Sequence, residues 1–434
     1  MNHNFIEELE WRGMIQDIIP GTKEYLQENE YVPGYLGVDP TADSLHIGHL
    51  CGIMMLRYFQ MCGHKPIILV GGATGMIGDP SGKSEERNLL SPVTIEYNIK
   101  AIKKQLEKFL DFDESKPNSA IIVNNLDWLG NMTFLDFARN IGKLVTVNYM
   151  MSKDSVKKRI TSDNGISFTE FTYQLLQGFD FCHLHDTFGC MIQLGGSDQW
   201  GNMTTGLELL RKMTGEDAYA ITCPLLTKSD GNKFGKTEKG TIWLDPKKTS
   251  PYEFYQFWIN QRDEDVEKYL KIFTTYSEDE IKEIIEDSKE HPELRLGQIE
   301  LAQYITHLVH GNEELKRILD AQDLLYSKDE DDFLHRPETE QIDTLEFLKT
   351  VIPHFEVSII STASSYVDVL SDFTHIFPSR NEARKAIEAG SVSIWGQKIT
   401  EPYGLFDCSK AVAKRYYLVK FGKKKHYLII EKKI

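Results

Sequence analysis

Two histidines near the N-terminus have the spacing of an anion-binding turn. His46 and His49 lie three residues apart, just before an apolar stretch that favours a helix. Residues at this spacing share one helix face, and a helix N-terminus attracts anions through its free amides and its dipole. Imidazole N–H groups add donors for phosphate oxygens, and Gly48 leaves room for a flat base against the backbone. The pattern predicts a nucleotide site. Two surface or capping histidines also explain an isolated pair, as does a metal site, although no third ligand stands at a suitable spacing.

A second candidate phosphate-binding segment lies far downstream. Residues 233–237 read Lys-Phe-Gly-Lys-Thr and follow a turn at 229–232. The ammonium groups of Lys233 and Lys236, with the Thr237 hydroxyl, are suited to a departing pyrophosphate on which charge builds. An exposed basic loop is the alternative.

A glycine-rich stretch at 71–84 does not fit the common nucleotide motifs. A P-loop needs a glycine at position 77, where this chain has Ile77, and the spacing also misses the dinucleotide fingerprint. Lys83 and Arg87, taken alone, fit ordinary surface charge equally well.

Polar residues within an otherwise apolar stretch indicate a specificity site. Tyr173, Gln177 and Asp180 are spaced by four and three, so they share one helix face. If that face is buried, it needs partners; an amphipathic helix with a solvated polar face is the alternative. Further on, 195–202 reads as a glycine turn in which Ser197 caps a helix from Asp198 to about residue 213.

The pattern of apolar runs predicts a parallel α/β sheet. Short strand-like runs alternate with helical stretches, of which 50–61 is the clearest. Ligands of such sheets bind beyond the carboxyl ends of the strands, which is where the glycine-rich turns fall. The predicted strands are 31–39, 65–70, 119–123 and 191–194. Beyond residue 250 the pattern is mostly helical to 326, and an acidic stretch follows that indicates a linker or an exposed helix surface.

The charge is distributed unevenly. The chain of 434 residues has a net charge of −16, yet residues 351–434 carry 13 basic and 8 acidic residues, a local +5 that leaves −21 for the rest. A basic C-terminal module is compatible with RNA phosphates, and a solvated lysine-rich tail is the alternative. Within it, Arg380, Arg384 and Lys385 fall on or near one face of a predicted helix that ends at Gly390.

The composition otherwise fits a cytoplasmic protein. Six scattered cysteines without a Cys-x-x-Cys pair favour free thiols over disulfides or zinc. The acidic first residues lack a signal-peptide core, and no apolar run approaches the roughly 18 residues that span a bilayer.

Together and in this order, these motifs resemble the class I aminoacyl-tRNA synthetases of the bacterial tyrosyl type, over nearly the whole length of the chain. The segment 233–237 departs from the general Lys-Met-Ser-Lys-Ser motif at three positions but has the form common in the tyrosyl branch. The resemblance implies an α/β, Rossmann-like parallel-sheet catalytic domain, an α-helical domain and a C-terminal S4-like α+β RNA-binding domain. The implied bounds are 1–225 for the catalytic domain, 226–250 for a connecting segment, 251–326 for the helical domain, 327–350 for an acidic linker and 351–434 for the S4-like domain.

The resemblance also implies a function, tyrosine–tRNA ligation through tyrosyl-adenylate, with residue roles. The implied catalytic residues are Thr41, His46, His49, Lys83, Arg87, Lys233, Lys236 and Thr237. The implied tyrosine-binding residues are Tyr35, Asp79, Tyr173, Gln177, Asp180 and Gln199. The implied ATP-binding residues are Gly37, Asp39, Gly48, Gly196, Asp198 and Lys236. The implied RNA-binding residues are Arg380, Arg384 and Lys385.

The implied partners are L-tyrosine, ATP with Mg²⁺ and tRNA(Tyr), and residues 140–153 resemble the family's dimer-interface region, which implies a homodimer.

The sequence alone leaves rival functions open. A tryptophanyl enzyme shares the class, but Tyr35 with Asp180 suits a phenol better than an indole. A simpler nucleotidyltransferase would leave the S4-like domain unexplained, and a non-enzymatic RNA-binding protein would not need both histidines and both lysines.

Overall fold

The computed structural model describes residues 4–81, 90–161, 165–227, 229, 231, 234–237, 240–326, 331–357, 364–422 and 425–432, with the backbone alone for Lys236 and Thr237. These residues fall into two compact units, 1–309 and 310–434. Within the described ranges, no helix has the length and apolarity to cross a membrane.

The first unit is built on a largely parallel sheet. Its strands, within the described residues, are β1 (Asp17–Ile18), β2 (Pro33–Val38), β3 (Lys65–Val70), β4 (Ile121–Asn124), β5 (Ile192–Gly196), β6 (Tyr219–Cys223), β7 (Lys236–Thr237) and β8 (Gly240–Thr241). The main sheet has the order β1-β6-β5-β2-β3-β4. The pairs from β6 through β4 are parallel, while the edge strand β1 is antiparallel to β6. The short strands β7 and β8 form a separate hairpin.

Helices connect and cover these strands. They are α1 (Phe5–Arg12), α2 (Thr22–Glu28), α3 (Leu50–Met61), α4 (Thr74–Ile77), α5 (Pro92–Leu106), α6 (Leu126–Leu129), α7 (Phe134–Asp136), α8 (Val147–Met151), α9 (Asp154–Ile160), α10 (Phe168–Phe188), α11 (Trp200–Thr214), α12 (Pro251–Ile259), α13 (Asp263–Phe273), α14 (Glu278–Glu290) and α15 (Leu296–His310). The predicted strands and the predicted helix 50–61 are confirmed, and helices dominate after residue 250 as expected.

Helix α10 illustrates how local signals set the ends of an element. The side chain of Ser167 accepts a hydrogen bond from the Glu170 N–H at the N-terminus, and Gly189 ends the helix in the left-handed region at φ 66°. Arg159 of α9 adds a buried bidentate ion pair with Glu170, at 2.8 and 2.7 Å. The N-terminal turn of α10 is therefore fixed to α9.

The helix predicted from Asp198 begins later than expected. Residues Ser197–Gln199 form a 3-10 turn, and α11 begins at Trp200. Gly196 occupies the capping position of the turn, so the prediction that Ser197 caps the helix is wrong. The tighter 3-10 winding leaves Asp198 and Gln199 before the α-helix.

The second unit combines helices with a mixed sheet. Its helices in the described ranges are α16 (Asn312–Tyr326), α17 (Asp331–Leu334), α18 (Glu338–Leu348) and α19 (Arg380–Glu388). Its strands there are β9 (His354–Val357), β10 (Val392–Ile394), β11 (Gln397–Lys398), β12 (Tyr416–Phe421) and β13 (Lys425–Glu431), in the order β11-β10-β12-β13-β9.

The acidic stretch before residue 350 is partly helical. It contains α17 and α18, and Leu345 and Leu348 are fully buried in the core of the second unit. An apolar stripe on α18 thus accounts for a segment whose composition alone resembled a linker. The predicted five-segment division of the chain stays a prediction.

Candidate functional site

The polar residues of the first unit gather where the central strands end. Asp39 follows β2, Asp79 belongs to the loop after β3, Asn125 follows β4 and Asp198 follows β5. Carboxyl ends of parallel strands meet at one edge of a sheet, and β2 lies between β3 and β5, where the chain order reverses. Hydrogen bonds between several of these loops confirm that they converge.

One end of this cleft is built around a buried carboxylate. Asp180 of α10 is 1 % exposed. Its Oδ1 accepts a hydrogen bond from Trp128 Nε1 at 2.8 Å, and its Oδ2 accepts one from Asn125 Nδ2 at 3.0 Å. Burial raises the pKa of Asp180 to about 7, against the opposing effect of these two donors.

Tyr35 of β2 lies beside this carboxylate. Burial raises its pKa well above the ordinary tyrosine value, and the charge of Asp180 raises it further. Gln193 of β5 pairs with Tyr35 in register, so both side chains lie on the same face of the sheet. The buried polar atoms without a hydrogen-bond partner in the described residues include Tyr35 Oη, Gln193 Oε1 and Gln177 Oε1. Buried polar groups are normally paired, so these three atoms indicate a polar ligand.

Two more carboxylates, those of Asp39 and Asp79, lie further along the cleft. Asp39 accepts hydrogen bonds from Tyr173 Oη at 2.8 Å and from Thr74 Oγ1 at 2.7 Å. Asp79 accepts hydrogen bonds from the Ser81 N–H at 2.9 Å and from Gln199 Nε2 at 2.8 Å. The structure therefore places Asp39, expected on the nucleotide side, against Tyr173 of the expected tyrosine pocket. Its assignment to ATP stays a prediction.

The two histidines cap their own turn. His46 Nδ1 accepts from the Gly48 N–H, and His49 Nδ1 accepts from the His46 N–H, both at 3.1 Å. Because each Nδ1 is an acceptor, the proton of each neutral ring sits on Nε2. Their ring centroids are 3.9 Å apart. The capping interpretation is thus correct for Nδ1 of both rings.

The histidine turn and the lysine segment lie side by side, although nearly 200 residues separate them. The Ile47 N–H donates to the Ile242 carbonyl at 3.1 Å, and His46 pairs with Trp243 in an antiparallel bridge. Gly235 approaches Ile47 so closely that a Cβ there would lie 2.8 Å from Ile47 Cγ1. Its φ of 84° also favours glycine.

The structure describes only some of the other residues that are expected to contact the nucleotide. Thr41, Gly37 and Gly48 are exposed, and Asp198 is exposed beside Gly196. A Cβ on Gly196 would lie 2.6 Å from Asp198 Oδ1, so glycine is needed there for Asp198 to take this position. Lys83, Arg87 and Lys233, and the side chains of Lys236 and Thr237, lie outside the described residues.

The expected RNA-binding residues lie on α19 of the second unit. Arg380 forms ion pairs with Asp368 at 2.8 Å and Asp372 at 2.5 Å. Arg384 pairs with Glu388 at 2.8 Å. Lys385 is exposed and makes no ion pair within the described ranges.

Several residues of the cleft escaped the sequence analysis. They are Thr74, Asn125, Trp128, Gln193, Asn202 and Trp243. Asn125 directly follows a strand end, the one signal that marked it. The others stand in positions where the sequence pattern favours core or surface equally. The described residues contain no group of three or more His, Cys, Asp or Glu side chains arranged to hold a metal.

Two known protein families match most of this chain. The family described as tRNA synthetases class I (W and Y) matches residues 27–327, and the family described as the Tyrosine--tRNA ligase SYY-like C-terminal domain matches residues 345–429. The Tyrosine--tRNA ligase of Bacteroides fragilis is 53% identical over 433 residues, covering 99% of this chain and 100% of that protein. That of Porphyromonas gingivalis is 53% identical over 430 residues, covering 98% and 99%.

A solved structure gives the same result for the first part of the chain. The C-terminally truncated mitochondrial tyrosyl-tRNA synthetase of Aspergillus nidulans matches with a TM-score of 0.66 and 32% identity, covering 74% of this chain and 94% of that one. A tryptophanyl-tRNA synthetase of Encephalitozoon cuniculi, at 16% identity and a TM-score of 0.53, shares the fold alone.

The raised pKa of Asp180 predicts that binding of a phenol at this carboxylate depends on pH. A phenol bound there would donate a hydrogen bond to the ionised carboxylate, and that acceptor is lost as pH falls through about 7. We expect the affinity for L-tyrosine, measured by equilibrium dialysis, to fall about tenfold from pH 8 to pH 6. Asp180→Asn should bind weakly at both pH values. Equal wild-type affinities at pH 6 and pH 8 would contradict the assignment.

Proposed function

The chain belongs to the class I tyrosyl-tRNA synthetases and ligates tyrosine to tRNA, and from that premise we propose how its residues perform the two steps. The tyrosine carboxylate attacks the α-phosphorus of ATP, which gives tyrosyl-adenylate and pyrophosphate. A hydroxyl of the terminal adenosine of tRNA(Tyr) then accepts the tyrosyl group, and AMP leaves. Neither step needs a covalent enzyme intermediate, so catalysis rests on positioning and charge stabilisation.

The observation that carries this proposal is the unpaired hydroxyl of Tyr35 beside the buried carboxylate of Asp180. A phenol hydroxyl bound there would donate to Asp180 and accept from Tyr35 Oη, which lacks a partner among the described residues. An indole offers a donor but no acceptor, and phenylalanine offers neither. The cleft therefore favours tyrosine over both.

The opposite end of the cleft is suited to the ammonium group of tyrosine. In the ligand-free arrangement, Asp79 holds Gln199 and Asp39 holds Tyr173. We assign the ammonium to Asp79, Tyr173 and Gln177, with Gln199 turned toward the carboxylate. The unpaired Gln177 Oε1 supplies the acceptor that an ammonium group needs.

ATP lies toward the histidine turn in this proposal. The Nε2–H groups of His46 and His49 donate to phosphate oxygens, and Thr41 borders the same turn. Lys83, Arg87, Lys233, Lys236 and Thr237 neutralise the departing pyrophosphate, and Gly37, Gly48, Gly196 and Asp198 receive the adenosine. We propose that Mg²⁺ arrives bound to ATP, since it commonly keeps substrate phosphates and waters as ligands. The six free thiols support a reducing compartment, and we place the reaction in the cytoplasm.

The second unit is the proposed RNA-binding module. Within it, residues 351–434 carry a local charge of +5, which contrasts with the acidic remainder of the chain. Because Arg380 and Arg384 already face carboxylates, phosphate must compete with these partners, whereas Lys385 carries an uncompensated charge. We therefore assign to Lys385 the largest share of phosphate binding among the three residues of α19.

We also propose a homodimer that buries an apolar surface between residues 134 and 168. Large apolar side chains there are exposed to an unusual degree, including Leu135 at 77%, Phe168 at 68% and Val147 at 59%. An apolar patch formed by such exposed side chains would be typical of a protein interface. The segment 140–153, which resembles the family's dimer region, lies within this range.

Tyr35→Phe should reduce the preference for tyrosine over phenylalanine. The variant keeps the ring that packs against Phe181 but loses the one hydroxyl that meets the substrate hydroxyl. We expect the ratio of kcat/KM values in ATP–pyrophosphate exchange to fall about tenfold, the usual effect of one neutral hydrogen bond. An unchanged ratio would exclude the phenol from this end of the cleft.

Lys385→Ala should weaken binding of tRNA(Tyr) more than Arg380→Ala does, because only Lys385 lacks a carboxylate neighbour. Filter binding over a range of salt concentrations measures both affinity and salt dependence. The slope for Lys385→Ala should fall by about one charge. Equal slopes for wild type and Lys385→Ala would rule out a phosphate contact.

Phe168→Asp should shift the chain from dimer to monomer in sedimentation velocity, because a carboxylate would be buried in an apolar interface. Leu294→Asp is the matched control, since Leu294 is 52% exposed but lies outside the proposed surface. A monomeric wild type, or a dimer that persists in Phe168→Asp, would refute this interface.

A further inference from the structure

The lysine segment is anchored by an aromatic side chain in its middle. Phe234 stands between the two lysines and is only 7% exposed. Its ring lies 5.8 Å from Phe257 and 5.6 Å from Trp258 of α12, between ring centroids. It lies 5.0 Å from Tyr269 and 5.7 Å from Phe273 of α13. These four rings, here called the aromatic box, enclose Phe234. A basic loop that only lay at the surface would not need a buried phenylalanine.

A buried carboxylate holds the other side of the same segment. Asp265 of α13 is 5% exposed, and its side-chain hydrogen bonds in the described structure all go to Ser229. It accepts from the Ser229 N–H at 3.2 Å and from Ser229 Oγ at 3.1 Å. A buried carboxylate bonded to backbone and hydroxyl donors costs free energy when its partners are removed. Ser229 is therefore fixed to α13, as Phe234 is.

These two anchors set the position of the backbone that follows. Gly235, next to Phe234, packs against Ile47 in the histidine turn. The Ile242 N–H donates to the Gly235 carbonyl at 3.2 Å, and Lys236 pairs with Thr241 across the β7–β8 hairpin. A shift of Phe234 or Ser229 would therefore displace the Lys236 backbone relative to the histidines.

We propose that Asp265 and the aromatic box are positioning elements for adenylate formation, which hold the lysine segment against the histidine turn. They touch neither ATP nor tyrosine, and they act through the backbone that carries Lys236. This inference rests on the proposed role of Lys236 toward pyrophosphate. It assigns to helices α12 and α13 a part in the chemistry, in addition to their part in the fold.

Rapid-quench measurement of pyrophosphate release tests the proposal on the full chain. We expect Asp265→Asn and Phe234→Leu to slow release about tenfold or more, because small displacements of catalytic groups cost rates of this size. The equilibrium affinity for tyrosine should stay within about twofold of wild type. Ser229→Ala, which removes only one hydroxyl, should show a smaller loss of the same kind. Phe109→Leu, at a phenylalanine of similar burial after α5, controls for general destabilisation.

Double variants that combine an anchor substitution with Lys236→Ala distinguish the effect of the anchors from that of the lysine. Because the anchors act through the lysine segment, Asp265→Asn should slow Lys236→Ala by a clearly smaller factor than it slows the wild type. Fully additive slowing, or wild-type release in both anchor variants while Lys236→Ala is slow, would overturn the positioning role. So would a loss in Phe109→Leu as large as that in Phe234→Leu. Wild-type release in Lys236→Ala would instead overturn the proposed function of the lysine, whatever the anchor variants do.

Discussion

The parallel pairing of β2 with β3 on one side and β5 on the other is the constraint from which the site follows. That pairing brings the ends of three sequence-distant strands to one edge. There Asp39 accepts a hydrogen bond from Thr74, and Asp79 accepts one from Gln199. It also sets Tyr35 beside Gln193 on one face of the sheet. A slip of one residue in either register would turn these side chains to the opposite face and remove the pocket.

The buried carboxylates of Asp180 and Asp79 supply hydrogen-bond acceptors and negative charge to the pocket. Asp180 and Asp79 are almost inaccessible, and each is held by named donors before any ligand arrives. Such pre-organisation lowers the cost of arranging the groups when substrate binds. The same burial raises the pKa of Asp180 to about 7, so that the carboxylate which we propose binds the phenol changes its charge near neutral pH.

The two compact units differ in electrostatic character. The acidic first unit presents its cations within local segments, the histidine turn and the lysine segment, where a polyphosphate would be bound. Within the second unit, residues 351–434 carry an excess of positive charge. The arginines of α19 are nevertheless paired with the carboxylates Asp368, Asp372 and Glu388. Net charge by itself is therefore a poor guide to which cations are available to RNA, because ion pairs within a helix and its neighbours redistribute it.

The sequence by itself determined four strands of the main sheet, the helical character after residue 250 and the motif residues, because period, turn chemistry and residue type are local properties. It also placed Tyr173, Gln177 and Asp180 on one helix face. Only the tertiary structure decided that Asp39 bonds to Tyr173, that Asn125 and Trp128 hold Asp180 and that Phe234 is enclosed by α12 and α13. The physical reason is that each of these contacts joins residues far apart in the chain, and a hydrogen bond or a ring contact across the fold leaves no periodic trace in the sequence of either partner.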